Sequence, residues 1–167
     1  VDLGLEKAGV QLTPSGAVEV ETTSQTSVDS IYAVGDVTDR INLTPVAVAE
    51  GRAVAESLYN DTHVLVEHDV VPTAVFSMPP VGTVGLTETL ARERYDDVVI
   101  YRSSFRPMQH TLSGREEKSM MKLVVDGESD RVVGLHVVGP DAPEIVQGFA
   151  VALKCGATKK DFDRTIG

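Results

Sequence analysis

Residues 31–52 read IYAVGDVTDRINLTPVAVAEGR, and the order of residue types within them decides the architecture. Ile31-Tyr32-Ala33-Val34 is a short unbroken apolar run, the pattern of a strand covered on both faces in a parallel sheet. The run stops at Gly35-Asp36. After a polar loop comes Leu43-Thr44-Pro45, where Thr44 is an N-cap type and Pro45 fits the first helical position, since its missing N–H costs nothing there. The helix is predicted to run to about Tyr59, with Val48, Ala55, Leu58 and Tyr59 mostly on one side. In parallel sheets ligands sit beyond the carboxyl ends of strands. A Gly there lets the backbone approach a ligand, and an Asp can accept hydrogen bonds from two hydroxyls of a polyol. By themselves Gly35 and Asp36 do no more than open a turn. The capped helix start a few residues on adds unpaired N–H groups and partial positive charge. Together these features favour a ligand site, suited to a group that gains negative charge.

Outward from this stretch, residues 17–21 (AVEVE) alternate apolar and polar after the turn TPSG and predict a half-buried strand. Asp61 to Asp69 is a polar connection, and the pattern changes beyond it. Strands are expected at Thr73–Phe76, Thr83–Leu86, Val98–Phe105, Met120–Val125 and Val132–Val138. The last two flank DGESDR, a turn of hairpin length, so they should pair antiparallel. A short helix is expected around Glu88–Tyr95. Asp141, with Glu144 in the capping-box spacing, is predicted to start another that runs to Cys155 and stops at Gly156. Thr158, with Asp161, caps a final one. The fold class is therefore α+β: residues 1–68 form the tail of an α/β domain, and residues 69–167 form an antiparallel sheet with flanking helices.

Apolar residues make up 42% of the 167, enough for a hydrophobic core, and the net charge is −10. That charge argues against nucleic acid or an anionic membrane as partner, because both need a basic face. No stretch has the length of a transmembrane run, and VDLGLEKAGV carries no secretion signal, so a soluble, cytoplasmic protein is expected. Cys155 is the single cysteine; it supplies no thiol pair and reads as a small apolar helical residue. His63 and His68 fall in the polar connection and should be solvated, His136 should pack on a strand, and His110 should be structural. No metal site is expected, since no pair of histidines has helical ligand spacing. Arg52, two turns into the predicted helix, is either a solvated surface residue or a bidentate partner for a carboxylate. Met108 reads equally as an ordinary packing residue.

Residues 31–52, MPPVGTVGLTE (78–88), FRPMQHTLSGR (105–115) and the run from Val132 to Gly167 resemble, in order, the second flavin-binding motif and the dimerisation domain of the pyridine nucleotide-disulfide oxidoreductases. The likeness is greatest to the members that reduce glutathione disulfide. The resemblance implies that Gly35 and Asp36 meet the ribityl chain of FAD, and that Leu43, Thr44 and the following helix lie at the pyrimidine end of its ring. It implies that Arg52 holds a glycine carboxylate of glutathione disulfide, with Met108 of a partner subunit nearby. It further implies NADPH as reductant and a homodimer formed through residues 69–167. Relatives acting on lipoamide, mercuric ion or trypanothione are the alternatives on substrate, and the trypanothione enzymes typically carry a small residue at the position of Arg52. The family's redox thiol pair and catalytic His-Pro have no match in the chain. The piece is accordingly expected to be inactive by itself and to bind FAD and NADPH poorly, and the alternative reading is a stand-alone dimerisation module.

Overall fold

The computed structural model describes residues 3–60 and 62–166. Asp61, where the polar connection was predicted to begin, and Gly167, the last residue of the resembling run, lie outside them. The chain forms two compact units, residues 1–68 and 69–167.

The first unit is built of turns around one long helix, α1 (Thr44–Tyr59). The predicted strands at 17–21 and 31–34 are not formed. Val18 makes a single antiparallel bridge to Leu12, and Tyr32 one to Gln25. Apolar runs become strands only when neighbours satisfy their backbone groups, and isolated bridges do so at one point each. Helix α1 begins as predicted, but its N-cap residue is Leu43, in extended conformation and without a side-chain cap bond, and Thr44 is already helical. The buried face differs from the predicted one. Val46, Glu50 and Ala53 are buried, an i, i+4, i+7 stripe, whereas Val48, Leu58 and Tyr59 are exposed. The stripe wins because it packs against the 3-10 turn Gly35–Thr38.

The second unit is a five-stranded antiparallel sheet in the order β1-β2-β5-β4-β3. The strands are β1 (Thr73–Val75), β2 (Val81–Gly85), β3 (Val98–Phe105), β4 (Ser119–Asp126) and β5 (Val132–Val138). The 4–5 hairpin forms over DGESDR. There Asp126 accepts hydrogen bonds from Ser129 Oγ and the Glu128 N–H, and Asp130 takes the left-handed conformation. Helix α2 (Glu88–Arg94) follows β2, with Thr87 accepting from the Leu90 N–H as its cap. After β3 comes the short α3 (Gln109–Ser113). Helix α4 (Ala142–Lys154) covers one face of the sheet, burying Ala142, Val146, Ala150 and Leu153 against Val84, Leu135 and Val137. Burying each of the valines and leucines stabilises the unit by roughly 1.5–3 kcal/mol. Gly82 is required beneath it, since a Cβ there would stand 2.5 Å from the Ala142 carbonyl oxygen and 2.8 Å from Val146.

Asp141 does not form the predicted capping box. Its φ of 62° places it in the left-handed region rather than the extended one that aims a cap side chain at the first turn, and no cap bond forms. Thr158 does form the box with Asp161 at the start of α5 (Lys159–Arg164). Gly156, at φ 74°, ends α4 as predicted.

Candidate functional site

Gly35 is where the site is built. Its φ is +71°, and a Cβ on it would lie 2.8 Å from the Cβ of Ala47 in the first turn of α1. Only the absence of a side chain lets the turn sit this close to the helix. The turn that follows places Asp36 on the surface. Asp39, left-handed at φ 51°, closes it by donating its N–H to the Asp36 carbonyl. Thr38 Oγ1 donates to the Gly35 carbonyl oxygen at 2.8 Å. Asp36 is exposed, and its carboxylate accepts no hydrogen bond among the described residues.

At that helix start, the Val46 and Ala47 N–H groups both turn back to the Leu43 carbonyl, at 3.0 and 3.1 Å. Pro45 has no N–H to offer, and Thr44 is exposed. The unit thus seats Gly35 on Ala47, while Leu43 and Thr44 open the same 16-residue helix, whose axis dipole leaves positive charge at that end. Arg52 lies about two turns further along, exposed and without an ion-pair partner among the described residues. Met108 belongs to the second unit, just before α3, and is 86% exposed.

Glu50 was overlooked in the sequence and is the most constrained charged group in the unit. Its side chain is 1% exposed. Oε2 accepts from the Gly35 N–H at 2.7 Å, while Oε1 meets Arg40 at 3.0 Å and His68 Nε2 at 2.8 Å. Arg40 also donates to Ser24 Oγ at 2.9 Å and to Thr38 Oγ1 at 3.3 Å. Burial pushes the Glu50 carboxyl up. The Gly35 N–H, the His68 hydrogen bond and the neighbouring Arg40 and His68 charges outweigh it, holding the group below the ordinary glutamate range. His68 is therefore not the solvated residue expected: against a carboxylate oxygen its Nε2 carries the proton and donates it. The available signal was spacing, because Glu50 occupies the middle of the apolar stripe that Val46 and Ala53 define.

His63 is exposed, and His110 and His136 are held structurally. His110 is buried, with Nδ1 3.1 Å from the Glu117 carbonyl oxygen. His136 donates from Nε2 to the Leu86 carbonyl at 3.1 Å, and its Nδ1 accepts from Thr83 Oγ1 at 2.6 Å. Burial lowers its pKa, the Leu86 bond opposes that, and the Lys122 charge adds to it. Cys155 is the exposed C-cap residue of α4. Among the described residues no three His, Cys, Asp or Glu side chains converge as metal ligands would, and no helix is long and apolar enough to cross a membrane.

Two family models match the chain. The one for the dimerisation domain of pyridine nucleotide-disulphide oxidoreductases covers residues 71–167, and the one for pyridine nucleotide-disulphide oxidoreductases covers residues 1–51. A glutathione reductase of Burkholderia cepacia is 56% identical over 99% of the chain and 37% of its own length. The chloroplastic/mitochondrial glutathione reductase of Pisum sativum is 52% identical, over 99% of the chain and 30% of its own length. A trypanothione reductase of Leishmania donovani is 46% identical, over 99% of the chain and 34% of its own length. The chain thus spans about a third of the length of these relatives.

Proposed function

The chain belongs to the pyridine nucleotide-disulphide oxidoreductase family, and from that premise we propose that it is part of a flavoprotein that reduces glutathione disulfide with NADPH. Residues 1–68 are the C-terminal portion of its FAD-binding domain, and residues 69–167 are the domain through which it forms a homodimer. The observation that carries this reading is the close seating of Gly35 on Ala47, in the first turn of a long helix, with an exposed acidic residue at the next position.

The residues present fit FAD. The Asp36 carboxylate, without a protein partner, suits a polyol that offers two hydroxyl donors, and the missing side chain at Gly35 keeps the turn close to the helix. Leu43 and Thr44, with the helix start, suit the pyrimidine edge of the ring, where reduction places negative charge. When bound, the flavin supplies the two-electron relay between a nicotinamide and a disulfide. The redox thiol pair comes from elsewhere in the protein, because residues 1–167 contain one cysteine. Arg52 positions a glycine carboxylate of glutathione disulfide through a forked pair of N–H donors. Met108 lines the same substrate from the partner subunit. The proposed location is cytoplasmic, although the pea relative is named for organelles.

The similarity to a trypanothione reductase favours a second substrate reading. Arg52 separates the two, because trypanothione offers no free glycine carboxylate for a guanidinium to hold. The test is NADPH oxidation by the full-length protein with each disulfide. Glutathione disulfide should be the preferred substrate, and Arg52→Ala should raise its KM by roughly 10-fold or more, as expected for loss of a charge-assisted contact. A protein that ignored glutathione disulfide but reduced trypanothione or lipoamide would overturn the substrate assignment.

A further inference from the structure

The carboxylate of Glu50 reaches both ends of the turn that carries Asp36. Oε2 holds the Gly35 N–H at its start, and Oε1 holds Arg40, which directly follows Asp39 at its end. Arg40 in turn braces Thr38 through Oγ1, and Thr38 is hydrogen-bonded across the turn to Gly35. His68 meets the same oxygen from the far end of the unit. Asp36 is held by none of these groups and is exposed, so the side chain that faces the ligand depends on its backbone for position. The backbone is fixed at both sides by one buried carboxylate on α1, the helix whose start forms the rest of the site. We propose that Glu50 is a positioning residue of the flavin site, bracketing the Gly35–Asp39 turn so that Asp36 is presented in fixed register with the start of α1.

This inference rests on the flavin reading of that site and assigns a role to a residue outside it. Removing the carboxylate leaves the buried Gly35 N–H without an acceptor and the Arg40 guanidinium with only the Ser24 and Thr38 hydroxyls, which frees the turn while leaving every ligand-facing group in place. Glutamine at the same position keeps one oxygen for the Gly35 N–H but offers Arg40 an amide NH₂, so it restores half of the bracket.

The test uses full-length apoprotein carrying Glu50→Ala, Glu50→Gln or, as a control that weakens the core of the second unit, Val146→Ala. FAD is titrated by the quenching of its fluorescence, and amide hydrogen exchange is read over residues 35–40. Glu50→Ala should weaken FAD binding roughly 10- to 100-fold and Glu50→Gln less, each with faster exchange in the turn, as expected when a buried charged hydrogen bond is lost. Val146→Ala should leave both readings at the wild-type level. Unchanged exchange in both Glu50 variants would overturn the bracket, as would faster exchange with unchanged FAD affinity. Should Glu50→Ala fail to fold, the Glu50→Gln arm decides between the same outcomes. Wild-type protein that takes up no FAD, while exchange still quickens in the variants, would overturn the flavin reading and with it the role given to Glu50.

Discussion

Gly35→Ala tests whether the close approach at the site is a requirement or an accident. Two separate costs follow from the geometry. At φ +71° an alanine sits in the left-handed region, which costs about 1–2 kcal/mol. Its Cβ would also stand 2.8 Å from the Cβ of Ala47. Both carbons are fixed by their backbones, no rotamer relieves the contact, and either turn or helix must shift, at about 1–3 kcal/mol. Alanine restricts the unfolded chain and returns about 0.4–1 kcal/mol. The native turn is thus disfavoured by about 1–4.6 kcal/mol, or roughly 5- to 2000-fold at ~1.4 kcal/mol per decade. Affinity falls with the fraction of protein in the competent arrangement, so the FAD dissociation constant should rise toward that factor. Gly16→Ala is the control: at φ +87° with no atom within 4 Å of a new Cβ, it bears the conformational cost alone. FAD titration of the two full-length apoproteins, with urea unfolding followed by circular dichroism, should show a large loss of affinity for Gly35→Ala only. Affinity within about threefold of wild type in Gly35→Ala would refute the reasoning, since a shift that small corresponds to under about 1 kcal/mol.

Other substitutions separate further forces. Gly82→Ala should destabilise the second unit by about 1–3 kcal/mol, because its Cβ meets the Ala142 carbonyl and Val146, and the urea midpoint reads this directly. Gly148→Ala, in the middle of α4 with open space around it, should instead raise the midpoint, by about 0.5–1 kcal/mol. Thr158→Ala removes the capping box of α5 and should cost about 0.5–2 kcal/mol in the same assay. His136 is held with a pKa below its ordinary value of about 6.5, so the unfolded chain binds the proton more readily than the folded one. Its contribution is complete above pH ~6.5 and is lost as the pH falls through that value toward the lowered folded pKa, so His136→Gln should flatten the stability profile on that limb.

Much of the second unit was legible because its signals are local. Val132–Val138 and Val98–Phe105 form strands with the predicted bounds, DGESDR closes the hairpin, and Thr158 with Asp161 makes its box. What failed depended on partners or on backbone conformation. The apolar run at 31–34 looks like a buried strand, yet it forms only a single bridge, from Tyr32 to Gln25, and no ladder. Asp141 has the type and spacing of a cap, but its left-handed φ takes it out of the geometry a cap needs. At the site, Gly35 and Asp36 stood out by their position after the apolar run. Glu50 and His68 did not, because the ion cluster is assembled from Arg40, Glu50 and His68, which lie far apart in the chain and carry no shared motif.

Helix α1 joins these tasks through its periodicity. At about 100° per residue, Arg52 lies about 200° around the helix from Glu50. The residue that braces the turn therefore points inward, and the residue assigned to the substrate points outward. Substitution at Arg52 removes an exposed, unpaired guanidinium and disturbs neither the stripe Val46, Glu50 and Ala53 nor the Gly35 contact. Arg52→Ala should consequently change stability by no more than about 0.5 kcal/mol and leave FAD affinity as it was, while changing the KM for the disulfide. Glu50→Ala should do the reverse, lowering FAD affinity while leaving the KM of the flavin-loaded protein near that of wild type. Measured side by side, FAD titration and disulfide KM test this division. A loss of FAD affinity in Arg52→Ala as large as that in Glu50→Ala would mean that the two faces of the helix do not act independently.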